Sequence, residues 1–277
     1  MNDLDLSIII VNYRERGFLR QCLKGIYAAD LKLKFEIIVV DNNSNDGSAD
    51  MVRQSFPNVV LEARQDNPGL AVATNVGIKR SRGRYLLFMN ADIAVFPGVI
   101  ERLAEFLERH PDVGLIAPKL LNPDRSVQIS CYRFPSLVVP ILRRTPLGKL
   151  PSAKKLLRSY LMLDWDHNAT QSVEWVLGAC MMVRRSAVEK VGVMDERFFM
   201  YFEDVDWCRR FWSAGLKVVY LADTWMIHYH QRMSAESPGL SGVFQKLTRI
   251  HIQSAMKYFR KYRQQPLPVI TPLHATT

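Results

Sequence analysis

The chain has 277 residues, 48% of them hydrophobic and 23% charged, which excludes a disordered or fibrous protein and allows a substantial buried core. Thirty-seven Lys and Arg against 27 Asp and Glu give a formal charge of +10, and that implies an anionic partner: a nucleic acid, a nucleotide diphosphate or an acidic lipid surface. Four scattered cysteines without a C-x-x-C pair argue against a zinc site or a disulfide framework, and no apolar run reaches the roughly eighteen residues of a membrane span.

Leu6 to Val11 is a near-continuous β-branched run, the pattern of a strand buried on both faces. Phe18, Leu19, Cys22, Leu23 and Ile26 then recur at helical steps, and Phe35 to Val40 forms a second strand ending in the turn-rich DNNSNDGS. A short third strand is expected at Val59 to Leu61, a helix from Leu70 to about Ser81 and a fourth strand at Tyr85 to Met89. Pro97 opens another helix through Ile100, Leu103 and Leu107, closed before Pro111. Alternating strands and helices predict an α/β fold with a mostly parallel central sheet flanked by helices. Residues 131–170 read as a basic, proline-interrupted insertion. Strand-like segments return at Val173 to Val183 and Lys217 to Ala222, with a helix from Glu203 to Ala214 between them, and a basic helical appendage occupies 236–277.

Ligands of open parallel sheets bind beyond the carboxyl ends of the strands. Here those ends carry Asn12-Tyr13, Asp41-Asn42-Asn43, Arg64 to Asn67 and Asn90-Ala-Asp92. Each alone is ordinary turn chemistry; together on one edge they point to a site. A dinucleotide-binding Rossmann protein needs G-x-G-x-x-G after the first strand, and this turn reads NYRERGF; no Walker sequence occurs either. A pyrophosphate held here therefore calls for a carboxylate-bound metal in place of a glycine loop.

SIIIVNY (7–13), DNNSNDGS (41–48), NPGLAVATNVG (67–77), FMNAD (88–92), WVLGAC (175–180) and DERFFMYFEDVDWCRR (195–210) together resemble the family 2 glycosyltransferases of the Rossmann-like GT-A fold, in particular their bacterial rhamnosyltransferase-like branch. The resemblance implies one GT-A catalytic domain over 1–235, with the 131–170 insertion on its acceptor side. It implies that Asp41 hydrogen-bonds a pyrimidine base in a pocket lined by Val11 and Tyr13, and that Asn67 and Asn75 hold the nucleotide-sugar. The family's D-x-D falls on Asn90-Ala-Asp92, so Asp92 anchors Mn²⁺ or Mg²⁺ and Asn90 lends a neutral oxygen. His228, in the alternating WMIHYH where it shares a face with His230, is the implied imidazole ligand. The general base is implied to be Asp204 of the Glu203-Asp204 pair. Gly178 and Ala179 would let backbone approach acceptor and sugar, and Trp175 is placed to stack on a sugar ring.

These assignments describe an inverting transferase taking rhamnose from dTDP-rhamnose, or another sugar from a UDP-sugar. The acceptor is a glycan or a polyprenyl-diphosphate-linked precursor of cell-envelope polysaccharide. A cytoplasmic protein lying on the inner face of the plasma membrane is expected. From Leu240 onward Val243, Leu247, Ile250, Ile252, Ala255, Met256 and Phe259 recur among Lys and Arg as in a basic amphipathic helix, which either lies on an anionic membrane or packs its apolar face on the catalytic domain. Arg143-Arg144 and Lys154-Lys155 of the insertion are placed to meet headgroups or the acceptor's diphosphate. Nucleic-acid binding through the two basic segments is the rival reading, and no helix-turn-helix, RRM or zinc-finger signature accompanies it.

Overall fold

The computed structural model describes residues 4–143, 145–229 and 246–273. Its first half follows the expected alternation: β1 (Leu6–Asn12), α1 (Arg16–Ala28), β2 (Phe35–Asp41), α2 (Ser48–Ser55), β3 (Val60–Ala63), α3 (Leu70–Arg80) and β4 (Tyr85–Asn90). β5 (Ile93–Ala94), α4 (Val99–Arg109), β6 (Val113–Leu121) and β7 (Val127–Gln128) come next. The insertion holds β8 (Cys131–Tyr132), α5 (Val139–Leu142), a 3-10 turn at Pro146–Lys149 and α6 (Pro151–Tyr160). The chain continues through β9 (Gln171–Ser172), β10 (Trp175–Val176), β11 (Cys180–Arg184), α7 (Arg185–Val191), α8 (Glu203–Ser213), β12 (Lys217–His228) and, on the C-terminal side, α9 (Lys246–Lys261).

The main sheet runs β3-β2-β1-β4-β11-β6-β12-β5. β1 pairs in parallel with β2 and β4, whereas β11 lies antiparallel between β4 and β6. Both faces are covered, which is why the strands read as apolar runs. Leu6, Ile8 and Ile10 of β1 face a core layer with Leu19, Leu23 and Ile26 of α1 and Ile100, Leu103 and Leu107 of α4. Ile9 points the other way, into the layer of α3, α7, α8 and α9.

Two expectations change in detail. Val173 to Val183 is not one strand: a turn at Leu177–Ala179 separates β10 from β11. Lys217 to Ala222 does not stop at Ala222, because β12 absorbs a register shift between Leu221 and Trp225 and runs on to His228. His230, Leu240 and Val243 lie outside the described residues.

α9 packs on the hydrophobic core of the main sheet. Tyr258 and Ala255 are buried among Phe202, Val205 and Trp207, while Ile252 and Met256 of the expected apolar stripe are exposed. Asp206, 0% exposed, accepts hydrogen bonds from Arg210 Nε at 2.9 Å, Lys261 Nζ at 2.5 Å and Tyr262 Oη at 2.8 Å. Arg209 adds a cation–π contact, its Cζ 3.8 Å from the Tyr262 ring centre. Asp206→Ala removes the acceptor shared by Arg210, Lys261 and Tyr262, while Lys261 keeps Asp195 and Arg210 keeps the 191–193 carbonyls, and is expected to cost about 1–3 kcal/mol in urea unfolding. A loss below about 1 kcal/mol would show that this latch does not hold the helix. Among the described residues no helix is long and apolar enough to cross a membrane.

Candidate active site

The β4–β5 turn carries Asn90 and Asp92, and β12 carries His228 opposite Ile93 of β5. That ladder brings Asp92 Oδ1 to 3.3 Å from His228 Nε2, with both side chains at least nine-tenths buried. Gln128 Nε2 donates to Asn122 Oδ1 at 3.0 Å, so Gln128 Oε1 faces His228 Nδ1 at 2.7 Å. The ring therefore donates from Nδ1 and presents Nε2 to Asp92, the outer-shell arrangement of a ligating histidine. Among the described residues Asp92 Oδ1 accepts no hydrogen bond. An oxygen and an imidazole nitrogen this far apart fit two adjacent positions of an octahedral ion with bonds of about 2.1 Å, which lie about 3 Å apart. No third Asp, Glu, His or Cys completes a cluster among the described residues. The donor set thus fits a divalent ion but leaves most positions to a substrate or water.

Glu203 and Asp204 open α8 after Tyr201 and Phe202, both left-handed at φ +69°. Bulky residues rarely adopt that conformation, and such strain gathers at functional sites. Nearby, Leu70 N–H donates to the Phe199 carbonyl at 2.7 Å. A Cβ on Gly69 would lie 2.3 Å from that same oxygen, so only glycine lets the NPG turn meet the loop before α8. Asp204 Oδ2 accepts the Gly178 N–H at 3.1 Å and Oδ1 accepts its neighbour's, Val205 N–H, at 2.8 Å. Burial pushes the Asp204 carboxyl up to about 6 against those hydrogen bonds. Glu203 is raised well above 4.5, first by burial and then by the charge of Asp204. Burial thus favours the protonated form of Glu203 most and leaves Asp204 the readier of the two to carry the charge.

Glu203 also has a stability consequence. Its folded pKa lies above the unfolded value, so its contribution is intact below pH 4.5 and is lost as pH rises towards the folded value. Glu203→Gln is therefore expected to raise the melting temperature at pH 8 by about 2–4 °C, with the gap closing towards pH 5. A lower melting temperature at pH 8 would contradict this.

A cleft brings together Val11, Asn90, Gly178, Glu203 and Asp204. Asp41 sits at the β2 end, its Oδ1 accepting from Asn12 Nδ2 at 2.7 Å and its Oδ2 from Ser44 N–H at 3.2 Å. Tyr13 is exposed beside it. Asn67 Oδ1 accepts from Asn42 Nδ2 at 2.7 Å and from Gly69 N–H at 3.1 Å, which shapes the NPG turn. Ala179 is buried and its carbonyl takes the Asn90 N–H at 2.9 Å, tying the start of β11 to the β4–β5 turn.

Two of the expected contact residues have protein partners in the packing. Asn75 Nδ2 donates to the Met194 carbonyl at 2.9 Å and to Glu196 Oε1 at 3.0 Å, and its Oδ1 accepts Met194 N–H at 3.0 Å. Its amide pins the 194–196 loop to α3. Trp175 is 6% exposed, stacks on Tyr132 at 4.3 Å and donates Nε1–H to the Arg133 carbonyl at 2.8 Å. Two residues went unsuspected in the sequence. Gln128 orients His228, and Glu15 is pushed up to about 7 by burial and then by the negative charge of Asp92, with His228 opposing. Neither carries a local signal, because the fold alone brings residues 15, 92, 128 and 228 together.

A model described as Glycosyl transferase family 2 matches residues 7–192, and one described as Glycosyl transferase family group 2 matches residues 154–265. The chain is 29% identical over 244 residues to the N-acetylglucosaminyl-diphospho-decaprenol L-rhamnosyltransferase of Mycobacterium tuberculosis (strain ATCC 25618 / H37Rv), covering 84% of this chain and 78% of that protein. It is 24% identical over 276 residues to the rhamnosyltransferase WbbL of Escherichia coli (strain K12), covering 92% and 93%. Among solved structures, GalNAc-T7 with UDP, GalNAc and Mn²⁺ superposes with a TM-score of 0.64 at 14% identity, over 94% of this chain and 48% of that one. TarS 1–349 of S. aureus in complex with UDP gives 0.54 at 16%, over 81% and 60%. Identities this low speak for the fold alone, and that fold is GT-A.

Proposed function

Because this chain belongs to glycosyl transferase family 2, we propose that it is an inverting rhamnosyltransferase using a pyrimidine nucleotide donor and a polyprenyl-diphosphate-linked glycan acceptor in cell-envelope synthesis. The observation that carries the catalytic part is the buried Asp204, raised to about 6 and held by the Gly178 N–H at the wall of the cleft. A carboxylate of that pKa is mostly ionised at neutral pH and basic enough to share a proton in the transition state. Asp204 takes the acceptor hydroxyl proton as that oxygen bonds to the anomeric carbon. The bond from that carbon to the diphosphate breaks on the opposite side, so the configuration inverts.

Asp92 and His228 would hold a Mn²⁺ or Mg²⁺, with Asn90 beside them. Bound there, the ion supplies positive charge for the departing diphosphate. The oxygen-plus-imidazole donor set favours Mn²⁺. Asp41 receives the pyrimidine N–H, with Val11 and Tyr13 against the base, and Asn67 supports the nucleotide-sugar through the NPG turn. Asn75 acts at one remove, by fixing the 194–196 loop. Gly178 and Ala179 set backbone beside the acceptor, and Glu203 stays neutral so that Asp204 alone carries the charge.

The relatives named for rhamnosyl transfer, one of them onto a lipid-linked N-acetylglucosamine, support this donor and acceptor. A second reading has a UDP-sugar as the donor and a soluble acceptor. Release of nucleoside diphosphate from a donor panel, with and without a polyprenyl-diphosphate N-acetylglucosamine acceptor, separates them. Acceptor-dependent release from dTDP-rhamnose is expected. Release only from a UDP-sugar, indifferent to the lipid acceptor, would overturn the first reading.

A further inference from the structure

From Arg133 to Leu163 the sequence contains seven Lys or Arg and no Asp or Glu. In the same stretch the structure turns aliphatic side chains outward. Leu137, Val138, Ile141, Leu147, Leu150 and Leu156 are 39–66% exposed, so six of the eighteen large hydrophobics exposed among the described residues fall within 137–156. Isolated exposed aliphatics are ordinary; a cluster of this density marks an interaction surface. The segment is not frayed. Val139, Ala153 and Tyr160 are buried beneath it, and a Cβ on Gly148 would lie 2.2 Å from the Leu142 carbonyl, so α5, the 3-10 turn and α6 are closely packed. The outward aliphatics are therefore presented by a built scaffold. Lys149, Lys154 and Lys155 stand exposed among them, and among the described residues none of the three takes an ion pair.

We propose that this face, residues 137–156, docks the enzyme on an anionic phospholipid membrane. The charge pattern selects that occupant. Protein interface cores are depleted of lysine, and single-stranded nucleic acid asks for exposed aromatics among its cations, of which 137–156 has none. Aliphatic tips interleaved with lysines match the acyl boundary and the headgroup phosphates of one leaflet. The face also sits close to the chemistry. Tyr160 stacks on Tyr132 at 5.6 Å and Tyr132 on Trp175 at 4.3 Å, and β10 leads from Trp175 to Gly178, which hydrogen-bonds Asp204. Docking through 137–156 brings the cleft to the headgroup level. It also assigns the membrane contact to the insertion and not to α9, whose Tyr258 and Ala255 face the core.

The test is co-sedimentation of the full chain with vesicles of phosphatidylcholine, with or without phosphatidylglycerol. It contains neither donor nor acceptor, so its outcome is independent of the proposed reaction. Binding only to the phosphatidylglycerol vesicles is expected, falling with salt. Leu147→Glu/Leu150→Glu and Lys154→Glu/Lys155→Glu should each weaken it about tenfold or more, with circular dichroism and melting temperature unchanged. Arg249→Glu/Arg260→Glu on α9 should cost distinctly less. The proposal is overturned by no binding at low salt, by binding that neither insertion pair changes, or by a loss in the α9 pair as large as theirs. Two further results would also overturn it. One is a lipid-free dimer that Leu147→Glu/Leu150→Glu dissociates; the other is duplex DNA binding abolished by the lysine pair and untouched by the leucine pair.

Discussion

Asp204→Asn is expected to lower kcat by about 10²–10⁴, the usual worth of a positioned general base, with donor affinity nearly unchanged. The amide keeps the size and place of the carboxylate but cannot accept the hydroxyl proton. Stability must be measured alongside, because Asp204 accepts two backbone N–H groups, from Gly178 and Val205. An amide can satisfy only one of them with its oxygen. Loss of kcat with a folded protein and intact nucleotide binding identifies a base. Equal loss in Asp204→Asn and Glu203→Gln, with unfolding in both, identifies a helix start whose carboxylates are structural. Glu203→Gln retains a neutral side chain, so its effect on kcat should be much smaller.

Asp92→Ala is expected to abolish metal-dependent turnover, a loss of at least about 10³ if the ion supplies several kcal/mol to the leaving diphosphate. Calorimetry with Mn²⁺ and UDP should show metal binding lost in the same variant, which separates a ligand from a residue that matters only for folding. Asn90→Asp should be tolerated or should tighten the ion, since it restores the family's first acid. His228→Ala and Gln128→Ala should each raise the metal concentration needed for half-maximal rate by about tenfold or more, because one removes a ligand and the other its orienting partner. Full activity in EDTA, or an unchanged metal requirement in His228→Ala, would remove the metal from the reaction or His228 from the metal.

Much of the fold was legible because strands covered on both faces must be apolar along their whole length, as Ile8, Ile9 and Ile10 are. β11 showed as a strand but not as an antiparallel one, since its neighbours β4 and β6 are chosen by tertiary packing. β12 was split in the sequence by polar Asp223 and Thr224, where the register shift hides continuity from any period-two pattern. The apolar stripe read for α9 included Met256 and left out Tyr258, whereas the structure buries Tyr258 and leaves Met256 67% exposed. Tyr258 carries a hydroxyl that Arg209 satisfies at 3.2 Å, and hydropathy alone does not anticipate such a partner.

In the site, Asp92 stood out as a strand-end residue and Glu203-Asp204 as a helix start, while their roles and that of His228 came from the family resemblance. What separates a stacked Trp175 from a sugar platform, or a clamping Asn75 from a binding one, is the identity of residues 40–120 positions away. Local sequence does not hold that information. The same distance concealed Gln128, exactly 100 residues from His228.

The pH dependence of acceptor-dependent kcat/KM at saturating Mn²⁺ tests the central claim, because its acid limb reports the free enzyme's essential base. The expected result is a limb with an apparent pKa of about 6, falling tenfold per pH unit below it and absent from the residual activity of Asp204→Asn. A wild-type profile that stays flat down to the ordinary aspartate value of 3.8, or an acid limb that survives in Asp204→Asn, would contradict the assignment of Asp204 as the base.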